Sequence, residues 1–101
     1  RGTLVIDVDR YEVFVDGREV RLTAIEFKLL RMLMESPGRV FTRDQLLASM
    51  HAFNEAAVVD RAIDVHIGKL REKLGDDAAE PRFIQTIRGI GYRLLAPGRA
   101  G

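Results

Sequence analysis

One pattern occurs twice in this chain, and each copy fixes the start of a helix. Leu22-Thr23-x-x-Glu26-Phe27 and Phe41-Thr42-x-x-Gln45-Leu46 share the same order: apolar, threonine, then Glu or Gln three residues on, then apolar. The threonine hydroxyl can accept the N–H of the third helical residue, whose own side chain returns to the threonine N–H. The flanking apolar pair staples the entering chain to the first turn. Pro37-Gly38 lies between the copies and stops the first helix. The chain must therefore contain two helices joined by a short connection, and the rest has to pack around them.

At about 100° per residue, Ile25, Leu29, Met32 and Leu33 form one apolar face of the first helix and Phe27, Leu30 and Met34 another. Only Lys28, Arg31 and Glu35 make a polar strip, so this is a central core helix. The second helix is short and carries Leu46, Leu47 and Met50; residues 51–55 lack strong periodicity and read as the connection to a third. That third helix begins between Ala56 and Asp60 and runs to Leu74, with Gly75 as its stop. Ile63, Ile67, Leu70 and Leu74 fall within an arc of about 60° and face the core.

Strands flank the helices. Residues 4–8 and 11–15 are rich in β-branched and aromatic side chains, and Asp16-Gly17 is a two-residue hairpin signal leading into alternating residues 18–22. After a polar loop over 76–81, residues 82–87 read as a strand, Arg88-Gly89-Ile90-Gly91 as a turn and residues 92–95 as the returning strand. The fold class is α+β: a small antiparallel N-terminal sheet, three helices and a C-terminal β-hairpin, in one domain spanning 1–101 with its core over about 3–95. Starting at Arg1, without an initiator methionine, the chain is expected to be a fragment of a longer protein.

The outward face of the third helix is the informative one. It shows Arg61, Val65, Gly68, Lys69 and Glu72, with Ala62, His66 and Lys73 at its margin. Solvent-facing helix positions are normally filled by long polar helix formers. Gly68 costs about 1 kcal/mol relative to alanine there, which suits a surface that another molecule must approach closely; the alternative is that it relieves a crowded helix contact. Charge points the same way. Overall the chain is nearly neutral at +1, yet residues 82–101 hold Arg82, Arg88, Arg93 and Arg99 and no acid. A one-sided basic end suits an anionic partner, and equally a solvated tail.

Catalysis finds little support. Without cysteine there is no disulfide, thiolate nucleophile or cysteine-based zinc site, a composition that fits a reducing, cytoplasmic location. Ser36 and Ser49 lack a nucleophile-elbow context, and neither His51 nor His66 has a second histidine at helical ligand spacing. Asp60 and Asp64 read as a cap and an ion-pair residue rather than an acid/base pair. We expect no catalytic, metal or cofactor residues, and no apolar run reaches the roughly 18 residues of a membrane span.

Two helices joined by a turn and followed by a basic β-ribbon describe a winged helix-turn-helix. Four linked segments make the resemblance specific: residues 22–30, residues 37–43, Arg61-x-Ile63-Asp64-Val65-His66-Ile67-x-Lys69-Leu70-Arg71-x-Lys73-Leu74, and Ile87-Arg88-Gly89-x-Gly91-Tyr92. In order and spacing the chain resembles the OmpR/PhoB-type effector domain of two-component response regulators over about 3–95. That resemblance implies sequence-specific double-stranded DNA binding for transcription regulation, with the third helix in the major groove. Arg61 and His66 match phosphate or groove-edge positions, Val65 and Lys69 base-facing ones, Thr86 and Tyr92 phosphate contacts, and Arg88 the wing arginine of the minor groove. Ala62 and Lys73 complete the candidate DNA-binding set. Chemically, Lys69 can donate to guanine and Val65 can touch a thymine methyl.

The resemblance also implies direct-repeat half-sites, an absent N-terminal receiver domain served by a histidine kinase, and RNA polymerase contact through residues 51–58. Three departures stand out: Ala62 where relatives often carry threonine, Gly68 where many carry a base, and His51 where tryptophan is common. A winged-helix protein–protein or RNA-binding module is the alternative reading.

Overall fold

The repeated helix starts anchor the architecture in the computed structural model, which describes residues 3–51 and 60–95. Helix α1 (Ala24–Glu35) opens with the full reciprocal cap: the Thr23 N–H donates to Glu26 Oε1 at 2.9 Å, and the Glu26 N–H to Thr23 Oγ1 at 3.2 Å. Helix α2 (Arg43–His51) opens the same way, Thr42 N to Gln45 Oε1 at 2.9 Å and Gln45 N to Thr42 Oγ1 at 3.0 Å. Helix α3 spans Asp60–Leu74. Of the expected core stripes, Phe27, Leu29, Leu30 and Leu33 from α1, Leu46 from α2, and Ile63, Ile67, Leu70 and Leu74 from α3 are buried, while Ile25, Met32, Met34 and Leu47 are half-buried against them.

The N-terminal sheet has the order β1 (Leu4–Asp7), β2 (Glu12–Val15), β3 (Arg18–Val20), antiparallel throughout. Asp16 (φ 52°) and Gly17 (φ 85°) both turn through positive φ between β2 and β3, the hand that suits the twist of a two-residue hairpin. Tyr11 departs from its expected place in a strand. The register ends at Asp7↔Glu12, so residue 11 belongs to the connection, with φ 55°. That backbone swings its ring onto Phe27 of α1, stacked at 4.3 Å between centroids. Aromatic packing across elements outweighs strand propensity here.

The C-terminal hairpin, built from strands over Ile84–Ile87 and Gly91–Leu94, is one strand wider than the sequence suggests. Phe41 and Thr42 form a two-residue strand, β4, that pairs antiparallel with Tyr92 and Gly91. With β5 as Ile84–Ile87 and β6 as Gly91–Leu94, the sheet order is β4-β6-β5. Two residues carry no periodicity, so only the glycine could have signalled the pairing. Gly91 accordingly lies in β6 rather than in the turn, opposite both Thr42 and Ile87.

The junction from α3 to β5 is built rather than merely polar. Gly75 (φ 72°) ends α3 with its N–H on the Glu72 carbonyl at 3.1 Å, and the Asp76 N–H reaches the Arg71 carbonyl at 2.8 Å. This pair of bonds is the Schellman pattern. The Asp76 carboxylate then accepts the N–H groups of Asp77 (3.0 Å), Arg82 (2.6 Å), Phe83 (3.2 Å) and Ile84 (2.8 Å). One side chain thus gathers the segment that feeds the wing.

Candidate nucleic-acid interface

Helix α3 is held on both flanks, and this leaves its remaining face open. On one flank Lys73 Nζ donates to Glu26 Oε1 of α1 at 2.7 Å. Glu26 is buried; burial pushes its carboxyl pKa up, but the bonds from Lys73 and Thr23 outweigh that and hold it below the ordinary value. On the opposite flank, Asp64 and Arg71 meet the wing. Asp64 Oδ1 accepts from Tyr92 Oη at 2.5 Å and from Arg43 Nε at 2.8 Å. The buried Arg71 donates through one terminal nitrogen to the Ile84 carbonyl and to Thr86 Oγ1, both at 2.8 Å. The guanidiniums of Arg43 and Arg71 stand 5.8 and 5.7 Å from the Tyr92 ring centre.

This cluster sets the local titration. Burial raises the Tyr92 phenol most, the Asp64 carboxylate adds to it, and its pKa is pushed up to about 12. Burial also raises Asp64, but the bonds from Tyr92 and Arg43 prevail and hold its carboxyl below the usual range. Asp64 is thus the inter-helix ion-pair residue that its spacing indicates.

Between the flanks α3 presents Val65 at 50% exposure, with Gly68, Lys69 and Glu72 also exposed and His66 half-buried. A Cβ at Gly68 would meet nothing within 4 Å, so among the described residues no neighbouring element needs a glycine there. The crowded-contact explanation therefore loses its support. Arg88, Gly89 and Ile90 form the exposed wing tip, where Gly89 turns at φ 74° and the Ile90 N–H closes on the Ile87 carbonyl at 2.8 Å. Neither Lys69 nor Arg88 has an ion pair among the described residues, whereas Lys73 and Arg43 do.

The expected contacts thus fall into distinct environments. Val65, His66 and Lys69 share the open side of α3, and Thr86 and Arg88 are exposed on the wing. Thr86 accepts from Arg71 through its oxygen and keeps its own proton for an outside acceptor. Lys73 is turned to Glu26, and Tyr92, 5% exposed, gives its proton to Asp64. These two act first as struts between elements. The side chains of Arg61 and Ala62 and residues 52–59, hence most of the expected 51–58 polymerase loop, lie outside the described residues. Among the described residues no three metal-ligating side chains gather, and no helix is long and apolar enough to cross a membrane.

Arg43, Arg71 and Asp76 escaped the sequence reading as positioning residues. Arg71 could have been found: it sits about 40° from Ile67 on the helical wheel, at the edge of the buried stripe, where a guanidinium must find acceptors.

Comparison with known proteins gives this geometry a context. Residues 17–94 match the family described as the C-terminal domain of transcriptional regulatory proteins. The phosphate regulon transcriptional regulatory protein PhoB of Rhizobium meliloti is 44% identical over 93 residues, covering 92% of this chain and 40% of PhoB. The transcriptional regulatory protein BaeR of Escherichia coli is 45% identical over 91 residues, covering 89% of this chain and 37% of BaeR. This chain spans about two fifths of the length of such curated relatives. Among solved structures, the Klebsiella pneumoniae RstA DNA-binding domain in complex with the RstA box superposes with a TM-score of 0.80 at 36% identity, covering 93% of this chain and 92% of that one. The DNA-binding domain of the response regulator AdeR, bound to an intercistronic region, gives a TM-score of 0.77 at 31% identity, covering 93% and 94%. The architecture is that of a winged helix.

Proposed function

The chain belongs to the family of transcriptional regulatory protein C-terminal domains, and on that premise we propose that it binds double-stranded DNA sequence-specifically to regulate transcription. The observation that carries this reading is the open side of α3. Val65, Gly68 and Lys69 lie there with, among the described residues, no partner element over Gly68, while ion pairs and hydrogen bonds pin both flanks of the helix. A helix so held enters a major groove as a rigid body. Lys69 donates to guanine O6/N7, and Val65 contacts a thymine methyl.

Arg61, His66 and Thr86 contact phosphates and fix the register, and Ala62 lets the backbone approach closely. Arg88 enters the adjoining minor groove, where a narrow A·T segment concentrates negative potential. Tyr92 and Lys73 serve mainly by holding α3 against the wing and α1. Two copies occupy direct-repeat half-sites. In the whole protein this domain is the output half of a response regulator. Its receiver domain takes a phosphoryl group from a histidine kinase, residues 51–58 meet RNA polymerase, and the protein works in the cytoplasm without catalytic activity of its own.

Selection from a random duplex pool tests the reading. The expected result is a direct-repeat consensus bound at least ~10³-fold tighter than scrambled DNA, with a salt slope near roughly −4 to −5 per copy. Flat enrichment and binding that simply vanishes with salt would leave a non-specific anion patch and overturn it.

A further inference from the structure

The described residues expose four large hydrophobic side chains: Val5, Tyr11, Val65 and Ile90. Tyr11 stacks on Phe27, and Val65 belongs to the open side of α3. Ile90 is 51% exposed in the three-residue tip between Ile87 and Gly91, and it is absent from the core and from the side chains packed against it. Tight exposed turns favour Gly, Asn, Asp or Ser, because those residues satisfy turn geometry without presenting apolar surface to water. Among the described residues a β-branched aliphatic here gains no place in the core. The turn itself is completed by backbone: the Ile90 N–H bonds the Ile87 carbonyl at 2.8 Å, and Gly89 supplies the positive φ of 74°. The side chain of residue 90 is therefore free to serve a surface outside the molecule.

Its neighbour identifies that surface. Arg88, exposed and without an ion pair among the described residues, lies two positions away on the same tip, in a stretch with no acid from residue 82 onward. A cation beside a branched aliphatic group matches the chemistry of a narrow minor groove. The A·T floor offers only electronegative acceptors, and the walls are deoxyribose C–H groups. A phosphate ridge would ask for a donor, which the isoleucine side chain lacks, and in the reading above the major groove is taken by α3. We propose that Ile90 is a second minor-groove residue of the wing, packing on the sugar walls while Arg88 occupies the floor, and that it adds discrimination against the exocyclic amino group of guanine. This rests on the DNA-binding reading above.

The test uses the selected operator duplex and two versions substituted in the segment under the wing, one carrying G·C pairs and one carrying inosine·C pairs. Inosine lacks the minor-groove amino group of guanine, so it separates groove shape and bulk from major-groove sequence. For the unmodified chain, G·C should weaken binding more than inosine·C. Ile90→Ser should lower operator affinity about 3- to 10-fold and shrink the gap between the two substituted duplexes. Because a sugar contact displaces no counterion, its salt slope should stay unchanged, and Ile90→Val should restore the unmodified behaviour. The melting temperature should not move, since the side chain lies outside the core. An Ile90→Ser variant with operator affinity within twofold and the gap intact would overturn the inference, as would a reduced salt slope. If the unmodified chain fails to select any operator, the DNA-binding reading falls as well, and the two failures are thereby distinguished.

Discussion

A Cβ placed on Gly91 would lie 1.9 Å from the carbonyl oxygen of Phe41, so the pairing of β4 with β6 exists only because residue 91 has no side chain. The obstacle is backbone, not the end of a flexible side chain, and it cannot move aside without breaking the strand pair. Gly91→Ala is expected to destabilise the domain by about 2–4 kcal/mol, in the range of severe core overpacking. Urea denaturation monitored by circular dichroism measures this directly, and a loss below about 1 kcal/mol would mean that β4 is dispensable.

Gly68 makes the opposite prediction. It sits in the interior of α3, and an added methyl group would meet nothing within 4 Å among the described residues, so Gly68→Ala should stabilise the fold by about 0.5–1 kcal/mol through helix propensity alone. The same substitution should weaken operator binding if the open side of α3 is approached closely. A stability gain accompanied by unchanged DNA affinity would show that the glycine serves no docked surface.

The contrast between these two glycines explains what the sequence discloses and what it withholds. Capping boxes, core stripes and the Asp16-Gly17 hairpin are local signals, each contained within a few turns or residues, and all are found where the sequence places them. Strand β4 and the left-handed Tyr11 arise from contacts distant in sequence, Phe41 with Tyr92 and Tyr11 with Phe27. The candidate site divides in the same way. Val65, Lys69 and Arg88 are legible from a helical wheel and a turn, whereas the struts Arg43–Asp64–Tyr92 and Arg71–Thr86 join elements whose mutual placement only the folded chain defines.

Glu26 makes α3 positioning sensitive to acid. Its folded carboxyl titrates below the ordinary value of 4.5, so its stabilising contribution is fully present above that value and is lost as pH falls toward the folded pKa. Glu26→Gln retains capping capacity but removes the charge facing Lys73, and should cost about 1–3 kcal/mol at neutral pH. The difference between the two proteins should shrink as pH drops below the ordinary carboxyl range. Denaturation curves collected across pH 3–7 (roughly the carboxylate window) test the sign, and a gap that widens in acid would refute it.

The Tyr92 phenol has the reverse linkage. Its pKa is raised from 10.0 to about 12, so its bond to Asp64 contributes fully below the ordinary value and is lost as pH rises through the folded one. Absorbance titration of the phenolate should place one tyrosine near 12, and Tyr92→Phe should remove that step. With Asp64 partly exposed, the loss of this bond should lower stability by about 1 kcal/mol. An early phenolate transition assigned to Tyr92 would mean that the strut between α3 and the wing is open.

Lys69 and Arg88 should separate base reading from electrostatic anchoring. Both are exposed and lack ion pairs among the described residues, so neither substitution should reduce stability by more than about 0.5 kcal/mol. Lys69→Ala should cost about 1–3 kcal/mol on the preferred operator and relax selection at one position, because a lost donor to guanine removes discrimination. Arg88→Ala should instead weaken binding most on operators with an A·T-rich wing segment and lower the steepness of the salt dependence by about one. Repeating the duplex selection with each variant distinguishes the two roles. If Lys69→Ala altered only the salt slope and left every position of the consensus intact, α3 would be anchoring to the backbone rather than reading the groove.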